Sequence, residues 1–387
     1  MKRIVVSAFL IGMVSGWNIT NVGAIAPVVA DDYGIDLASV GLFTTALFAT
    51  HLALQIPGGR ASDRWGAKSV GLIGLLVIGA GAAISMIAPE LWVGLAGRAV
   101  TGVGTGLAFV AGVDYVRATG GSSVMQGLFG GMSLGAGGLA IAIVPQLVGP
   151  LGWRASYWSV LAIAVVGTAV LALAPSGHLR RREHLRRLAS SHIFKDVRLY
   201  RLAAVYAASL GLSVVVANWV VEIIERHSDV GLKTAGIVGA ITLLMSIFSR
   251  PLGGWILHTH PERTRIAVGL SLVAGFLGTL ALLFAEPIWL AAVGGALLGI
   301  GAGIPFSPSF TGAAVTRPDA PAAAVGFVNS ASAIVVLAGT PLLGLTFALP
   351  GDGRIGFAVI ALLWLGALAV LPSSRALGAE AKLATGS

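Results

Sequence analysis

Cysteine is absent from this chain and charge is scarce: acidic residues number 16 in 387, and all charged residues together make up 11%. The missing thiols exclude a disulfide framework, a cysteine nucleophile and a thiolate metal site. The missing charge excludes a water-soluble globule, since such chains carry about 25% charged residues and need polar groups to cover their surface. No glycine-rich loop is followed by Gly-Lys-Ser/Thr, which excludes a P-loop and with it an ATP-driven pump. The seven histidines do not cluster with acids, so neither a zinc site nor a nucleophile-base pair is in view. No cofactor is expected.

What the chain has is apolar surface. Hydrophobic residues make up 56% and glycines number 54, so lipid must solvate most of it. A bilayer core about 30 Å thick needs about 20 residues of helix. A window of that length finds spans near 4–30, 38–58, 69–88, 91–116, 122–148, 154–174, 199–223, 234–257, 265–285, 288–312, 322–347 and 355–372. The expectation is an all-α membrane protein of twelve transmembrane helices. The start, Met1-Lys2-Arg3 and the apolar run from Ile4 to Val14, has the form of a secretory signal, but Pro27 follows the small-residue pattern Ala24-Ile25-Ala26; it reads as a retained first helix.

The net charge of +9 belongs to loops and not to a nucleic-acid surface. Numbered from a cytoplasmic N-terminus, one set of loops and tails holds 19 of the 25 basic residues and the other set holds four, Arg154, Arg226, Lys233 and Arg354. By the positive-inside rule both termini face the cytoplasm of a bacterial-type inner membrane. The longest polar stretch divides the chain into an N-terminal bundle (1–175), a basic linker (176–198), a C-terminal bundle (199–372) and a tail (373–387).

The two bundles read as copies. Gln55-Ile56-Pro57-Gly58-Gly59 lies over Arg250-Pro251-Leu252-Gly253-Gly254 at an offset of 195. Gly102, Gly104, Gly106 and Phe109 recur as Gly299, Gly301, Gly303 and Phe306, and the pair Gly130 and Pro145 recurs as Gly326 and Pro341. Parallel repeats of this kind place a solute chamber between the halves, opened alternately to either side.

The stretch Gly59-Arg60-Ala61-Ser62-Asp63-Arg64-Trp65-Gly66-Ala67-Lys68 resembles the loop marker of the major facilitator superfamily, Gly-x-x-x-Asp-Arg-x-Gly-basic-basic, with Ala67 at one basic position. Arg98, Gly102, Gly104 and Gly106 resemble its span-four motif, and Gly152-Trp153-Arg154 a third. The resemblance implies two pseudo-symmetric six-helix bundles and secondary active transport by alternating access. It makes Gly59, Asp63, Arg64, Gly66 and Lys68 a latch, with Asp114 and Arg117 as partners for charge-assisted bonds that hold one state and break in the other.

Buried polar groups locate the candidate site, because each is costly in lipid. Only Arg98 and Arg250 are basic residues deep within spans, and no carboxylate lies deep enough to neutralise them, which points to a mobile anion. Arg250-Pro251-Leu252-Gly253-Gly254 resembles the span-eight motif of the nitrate/nitrite branch, where the arginine binds anion; Gln55 stands where that branch has a second arginine, and no asparagine interrupts the glycines at 130–138. A single-charged carboxylate or cyanate-like ion suits one arginine plus amides better than nitrate. Asn18, Asn21, Asn218 and Asn329 must face protein or water, as helix-to-helix glue or as ligands. Trp17, Phe43, Phe48, Trp219, Phe306 and Phe310 are candidate walls. His51, one turn from Gln55, is the single histidine within a span and the candidate proton carrier. The expected partners are a small anionic substrate, protons and membrane lipid; a monomer is expected. The competing reading is a multidrug/proton antiporter, although the buried acid usual there is missing.

Overall fold

The computed structural model describes residues 2–118, 123–174, 196–318 and 321–379, with side chains for all of these except 2–5, 63, 117, 118, 123 and 321–323. Most of the expected linker and the tail from 380 therefore lie outside the described residues. Among the described residues the chain is helical and contains no strand. In order the helices are α1 (Lys2–Trp17), α2 (Ala26–Tyr33), α3 (Leu37–Ala53), α4 (Gln55–Trp65), α5 (Ala67–Ser85), α6 (Leu91–Ala118), α7 (Ser123–Ile143), α8 (Val148–Leu151), α9 (Ala155–Ala172), α10 (Val197–Tyr206), α11 (Ser213–His227), α12 (Leu232–Leu244), α13 (Ser246–Thr259), α14 (Thr264–Phe284), α15 (Ile288–Gly303), α16 (Phe306–Thr316), α17 (Pro321–Leu345) and α18 (Arg354–Ala369).

Eight described helical stretches are long and apolar enough to cross a bilayer, or nine with the pair Leu37–Ala53 and Gln55–Ser62 taken as one span bent by 46°. One of the eight, Val124–Ala172, has 49 residues, well over a single crossing at 1.5 Å per residue, and the chain reverses within it at Gly152 (φ 54°). The first and last helices of the expected twelve are represented by shorter apolar segments, Val6–Trp17 and Arg354–Ala369. By length and hydropathy alone, then, eight or nine such stretches stand, one of them long enough for two of the expected twelve crossings.

Local chemistry sets the helix ends. Asp36 accepts from Ser39 N at 2.7 Å and starts α3. Asp196 starts α10 by accepting from Arg198 N at 3.0 Å, and the hydrogen-bonded Arg198 guanidinium holds its carboxyl below the ordinary range. Breaks fall within spans as well: at Leu54 between α3 and α4, at Met245 between α12 and α13, in a π turn over Ala207–Leu212, and at Ile304-Pro305 between α15 and α16. The last is the loosening that Gly303-Ile304-Pro305 predicts, since proline removes a helical donor.

The repeat is visible in atomic contacts. A Cβ on Gly81 would lie 2.7 Å from Gly97 O, and one on Gly278 would lie 2.6 Å from Gly294 O. Likewise Gly104 faces Gly74 O at 2.6 Å and Gly301 faces Ser271 O at 3.0 Å. Each residue pairs with its counterpart 197 positions on, so α5 meets α6 as α14 meets α15. Small residues let the helix backbones approach closely where lipid supplies no hydrophobic drive.

Two further seams join the first part of the chain to the second. Along α7, Gly127 meets Arg250 O at 3.1 Å, Gly131 meets Ser246 O at 2.7 Å and Gly138 meets Leu244 N at 2.8 Å. Near Asp36, Gly41 meets Pro341 Cα at 2.6 Å, Thr45 Oγ1 donates to Leu337 O at 2.7 Å and Trp219 Nε1 donates to Thr340 O at 2.9 Å within the second part. This acid-bearing end, with Asp31, Asp36, Glu222 and Asp352, is closed by those contacts. At the basic end α4 packs on α5 and α6, and Ile56 is 71% exposed.

Candidate functional site

Arg250 sits on α13 one turn after the break at Met245, and only 4% of it is exposed. Nη1 donates to Gly130 O on α7 at 3.2 Å, and the guanidinium lies over the Phe306 ring at 4.5 Å. Nε and Nη2 are buried and make no hydrogen bond of normal geometry, while the Tyr206 side chain is close enough to interact with the guanidinium. These two nitrogens form one edge of the planar fork, the edge suited to a two-oxygen anion. The aromatic ring beneath attracts the cation weakly and fixes its plane. Phe306 stacks on Phe310 at 4.9 Å, and Tyr206 contacts both, at 6.2 and 4.8 Å. Gly130 is required here, because a Cβ would lie 2.9 Å from Nη1 and 3.1 Å from Phe306 Cζ. The π turn that begins at Ala207 follows Tyr206 directly; such insertions recur at functional sites.

Arg98 on α6 is equally buried, at 1% exposure, but its donors are engaged. Nε donates to Phe43 O at 3.3 Å, Nη1 to Asn21 Oδ1 at 3.1 Å and Nη2 to Asn18 O at 2.8 Å. Asn18 and Asn21 belong to the non-helical turn between α1 and α2. Arg98 thus ties that turn to α3.

The asparagines divide similarly. Asn21 Nδ2 donates to Ser156 O at 3.1 Å, and Asn218 Oδ1 accepts from Thr44 Oγ1 at 3.1 Å across the closed seam. Asn18 Nδ2 donates to Val14 O at 2.8 Å, while its Oδ1 is buried without a partner. Asn329 is half-buried on α17. Trp17 Nε1 donates to Ser159 Oγ at 3.0 Å, so of the candidate walls Phe306 and Phe310 are the ones placed at Arg250.

His51 and Gln55 meet as their spacing predicts, Gln55 Nε2 to His51 Nε2 at 2.8 Å. His51 Nδ1 lies 3.0 Å from Thr105 Oγ1, and that hydroxyl donates onward to Gly102 O at 3.0 Å. Since the hydroxyl hydrogen is already committed, the ring donates from Nδ1 and accepts at Nε2. The ring is packed near Phe48 and Phe109, at 5.9 and 6.0 Å.

In the latch segment, Ser62 Oγ donates to buried Asp114 at 2.5 Å, a pairing not anticipated from Asp63 and Arg64. The side chains of Asp63 and Arg117 lie outside the described residues. Lys68 Nζ donates to Ala172 O and Ala174 O at 2.8 and 2.7 Å, closing the C-terminal carbonyls of α9. Gly66 adopts φ 84°, a left-handed conformation natural to glycine. Gly59 faces open space, and Arg64 is exposed.

Sequence reasoning missed a cluster at the acid-bearing end. Glu222 is 3% exposed, pairs with Arg226 and keeps Oε2 buried without a partner; Arg226 also reaches Asp352 at 3.1 Å. The i, i+4 spacing of Glu222 and Arg226 was the available signal. It also missed Gly130 and Tyr206 as neighbours of Arg250. Among the described residues no group of three or more potential metal ligands occurs.

A repeated helical bundle that buries a cation at helix breaks between its two parts defines a multi-pass membrane transport protein. Residues 8–340 match the model of the Major Facilitator Superfamily, and the chain belongs to that family; it is accordingly a secondary transporter and not an enzyme. The chain is 24% identical over 284 residues to the probable sulfoacetate transporter SauU of Cupriavidus necator, an alignment covering 67% of this chain and 66% of that one, just under two thirds of that relative's length. The fold is that of the nucleoside transporter NupG (D323A mutant), with a TM-score of 0.76, 14% identity and 96% and 99% of the two chains covered. It is shared with a bacterial homologue of the human lysosomal transporter Spinster, with a TM-score of 0.72, 15% identity and 95% of each chain covered.

Proposed function

We propose that this chain moves a small, singly charged organic or inorganic anion across a bacterial-type inner membrane by alternating access, with Arg250 as the anion-binding group. One observation carries the reading: the Nε and Nη2 donors of Arg250 are buried and make no hydrogen bond of normal geometry, with the Tyr206 side chain close enough to interact with the guanidinium but carrying no charge to cancel its own. A buried guanidinium without a counter-charge is costly, and a two-oxygen monoanion on that edge satisfies both donors and cancels the charge. Tyr206, Phe306 and Phe310 give such a solute's carbon skeleton an aromatic wall. That SauU is named a sulfoacetate transporter supports an anionic cargo here.

In this scheme the halves rock on the glycine-lined seam between α7 and α12–α13. Opening the acid-bearing end breaks the Thr44–Asn218 and Thr45–Leu337 bonds. The latch at 59–68, with Asp114 and Arg117, acts at the basic end, which faces the cytoplasm together with both termini. Gln55, Asn18, Asn21, Asn218, Asn329 and Arg98 line or brace the chamber of a protein working as a monomer, and His51 is the proton-coupling group.

Thermal melting of purified protein with a panel of carboxylates, sulfonates, cyanate and nitrate tests the proposal, since a ligand of the folded form raises the transition. The expected result is stabilisation by at least one monoanion, lost in Arg250→Ala. Stabilisation by lipophilic cations and by no anion overturns it and favours the drug/proton antiporter.

A further inference from the structure

At the basic end, a second arginine cluster stands apart from the chamber. Arg201 on α10, Arg265 on α14 and Arg375 beyond the end of α18 line one cavity of about 610 Å³, together with Leu371, Ser373 and Ser374. Among the described residues no acidic side chain is part of that lining. Arg265 donates from Nε to Pro372 O at 3.1 Å, which fixes its stem and leaves its terminal nitrogens unbonded among the described residues. Arg201 makes no hydrogen bond or ion pair to described residues.

The positive-inside rule asks for basic residues in one set of loops; it does not ask three of them, from segments more than 50 residues apart, to face a common space. Arg201 and Arg265 bring like charges to one cavity and repel, and the arrangement is stabilised when an anion sits between them; Arg375, which has a contact of its own, adds to the lining. Guanidinium forks match phosphate oxygens, and the two serine hydroxyls add neutral donors. The setting is amphipathic: Leu371 lines the cavity, and Ile266 and Leu270, adjacent on α14, are each 65% exposed, where lipid chains cover them.

We infer that Arg201, Arg265 and Arg375 form a binding site for a phosphate-bearing anion at the bilayer surface, the headgroup of an anionic phospholipid or free phosphate. Basic pockets between membrane helices take such headgroups, each arginine contributing about 1 kcal/mol, or about fivefold in affinity.

The test uses the full chain in neutral detergent. Melting is followed while dioleoylphosphatidylglycerol, dioleoylphosphatidylcholine or inorganic phosphate is titrated separately, for wild type, Arg201→Gln/Arg265→Gln and Arg201→Lys/Arg265→Lys. The expected result is a phosphatidylglycerol-specific rise in melting temperature whose half-saturating concentration increases about 25-fold in the double glutamine variant and is largely kept in the lysine variant. An equal, variant-sensitive rise with inorganic phosphate assigns the same site to the soluble anion. No rise with either, or a rise that the glutamine variant leaves unchanged, overturns the site. Melting in phosphatidylcholine reports whether each variant is folded. Because neither arginine belongs to the chamber, anion stabilisation through Arg250 survives whatever the outcome here.

Discussion

Arg98 and Arg250 are both all but inaccessible, both lie within membrane helices, and neither has a carboxylate partner among the described residues. They differ in what holds them. Three acceptors, the carbonyls of Phe43 and Asn18 and the Asn21 amide oxygen, take the donors of Arg98, whereas Arg250 has one backbone acceptor and an aromatic floor. The scaffold around them is duplicated at 197-residue spacing, yet the counterpart of Arg98 is Gly295, and the counterpart of Arg250 in the aligned motif is Gln55. Duplication therefore supplied the helices and their glycine contacts, while the two cations were placed separately, one to brace the first half and one to face the interface.

The strongest way to break that contrast is Arg98→Ala. It strands three buried acceptors, each worth about 1–3 kcal/mol when left unsatisfied, so a loss of at least about 3 kcal/mol in unfolding free energy is expected. Denaturant unfolding in mild detergent measures it. Unchanged stability, with anion binding abolished instead, would exchange the roles assigned to the two arginines.

Arg250→Ala sharpens the same contrast from the other side. Removing the fork costs the anion two charge-assisted bonds, and since hydrogen bonds to charged groups contribute about 1.5–3 kcal/mol each, affinity should fall at least about 100-fold. The melting temperature of the unliganded protein should move less than in Arg98→Ala, because the lost bond to Gly130 O and stack on Phe306 are offset by removal of a buried charge that lacks a counter-ion. Equilibrium dialysis with a radiolabelled anion and melting of the same preparation give both numbers. A variant that binds as wild type does clears Arg250 of the substrate role.

Gly130→Ala leaves both arginines in place and disturbs only the seat of one. The new methyl would lie 2.9 Å from Nη1, and the guanidinium end can yield, so a strain of about 1 kcal/mol and a five- to tenfold weaker anion affinity are expected. The binding isotherm should shift while Arg98-dependent stability does not.

Much of this architecture was legible in the sequence, because membrane crossing is written in hydropathy and helix contact in glycine spacing. Gly104 and Gly301 pack alike, as their repetition implies, and the Pro305 break falls where the missing amide requires it. Arg98 and Arg250 were indistinguishable at that level, since each presents one charge in an apolar run. Their difference depends on acceptors brought from 55 to 120 residues away. Lys68 was legible as a basic loop residue but not as the cap of α9, for the same reason. The burial of Glu222 was hidden too: the residue lies near a span end, where a carboxylate normally reaches water, and only the packing of α11 against the turn before α2 covers it.

The smallest expected effect concerns the titratable group beside these fixed charges. His51 accepts at Nε2 from the Gln55 amide and donates from Nδ1 to Thr105, so it gains a second proton only if Gln55 turns its carbonyl oxygen toward the ring. The Arg250 charge is constant across physiological pH, and any pH dependence of transport must come from elsewhere. His51→Gln keeps a hydrogen-bonding side chain and removes titration. Uptake by reconstituted vesicles should then change by less than about threefold at any one pH, while its pH profile flattens, because imidazole is the side chain that titrates nearest physiological pH. Gln55→Leu, which removes the oxygen that would accept a hydrogen bond from the doubly protonated ring, should flatten the same profile by a different route. A profile untouched by both substitutions would take His51 out of the cycle and leave Arg250 as the sole charged group acting on the solute.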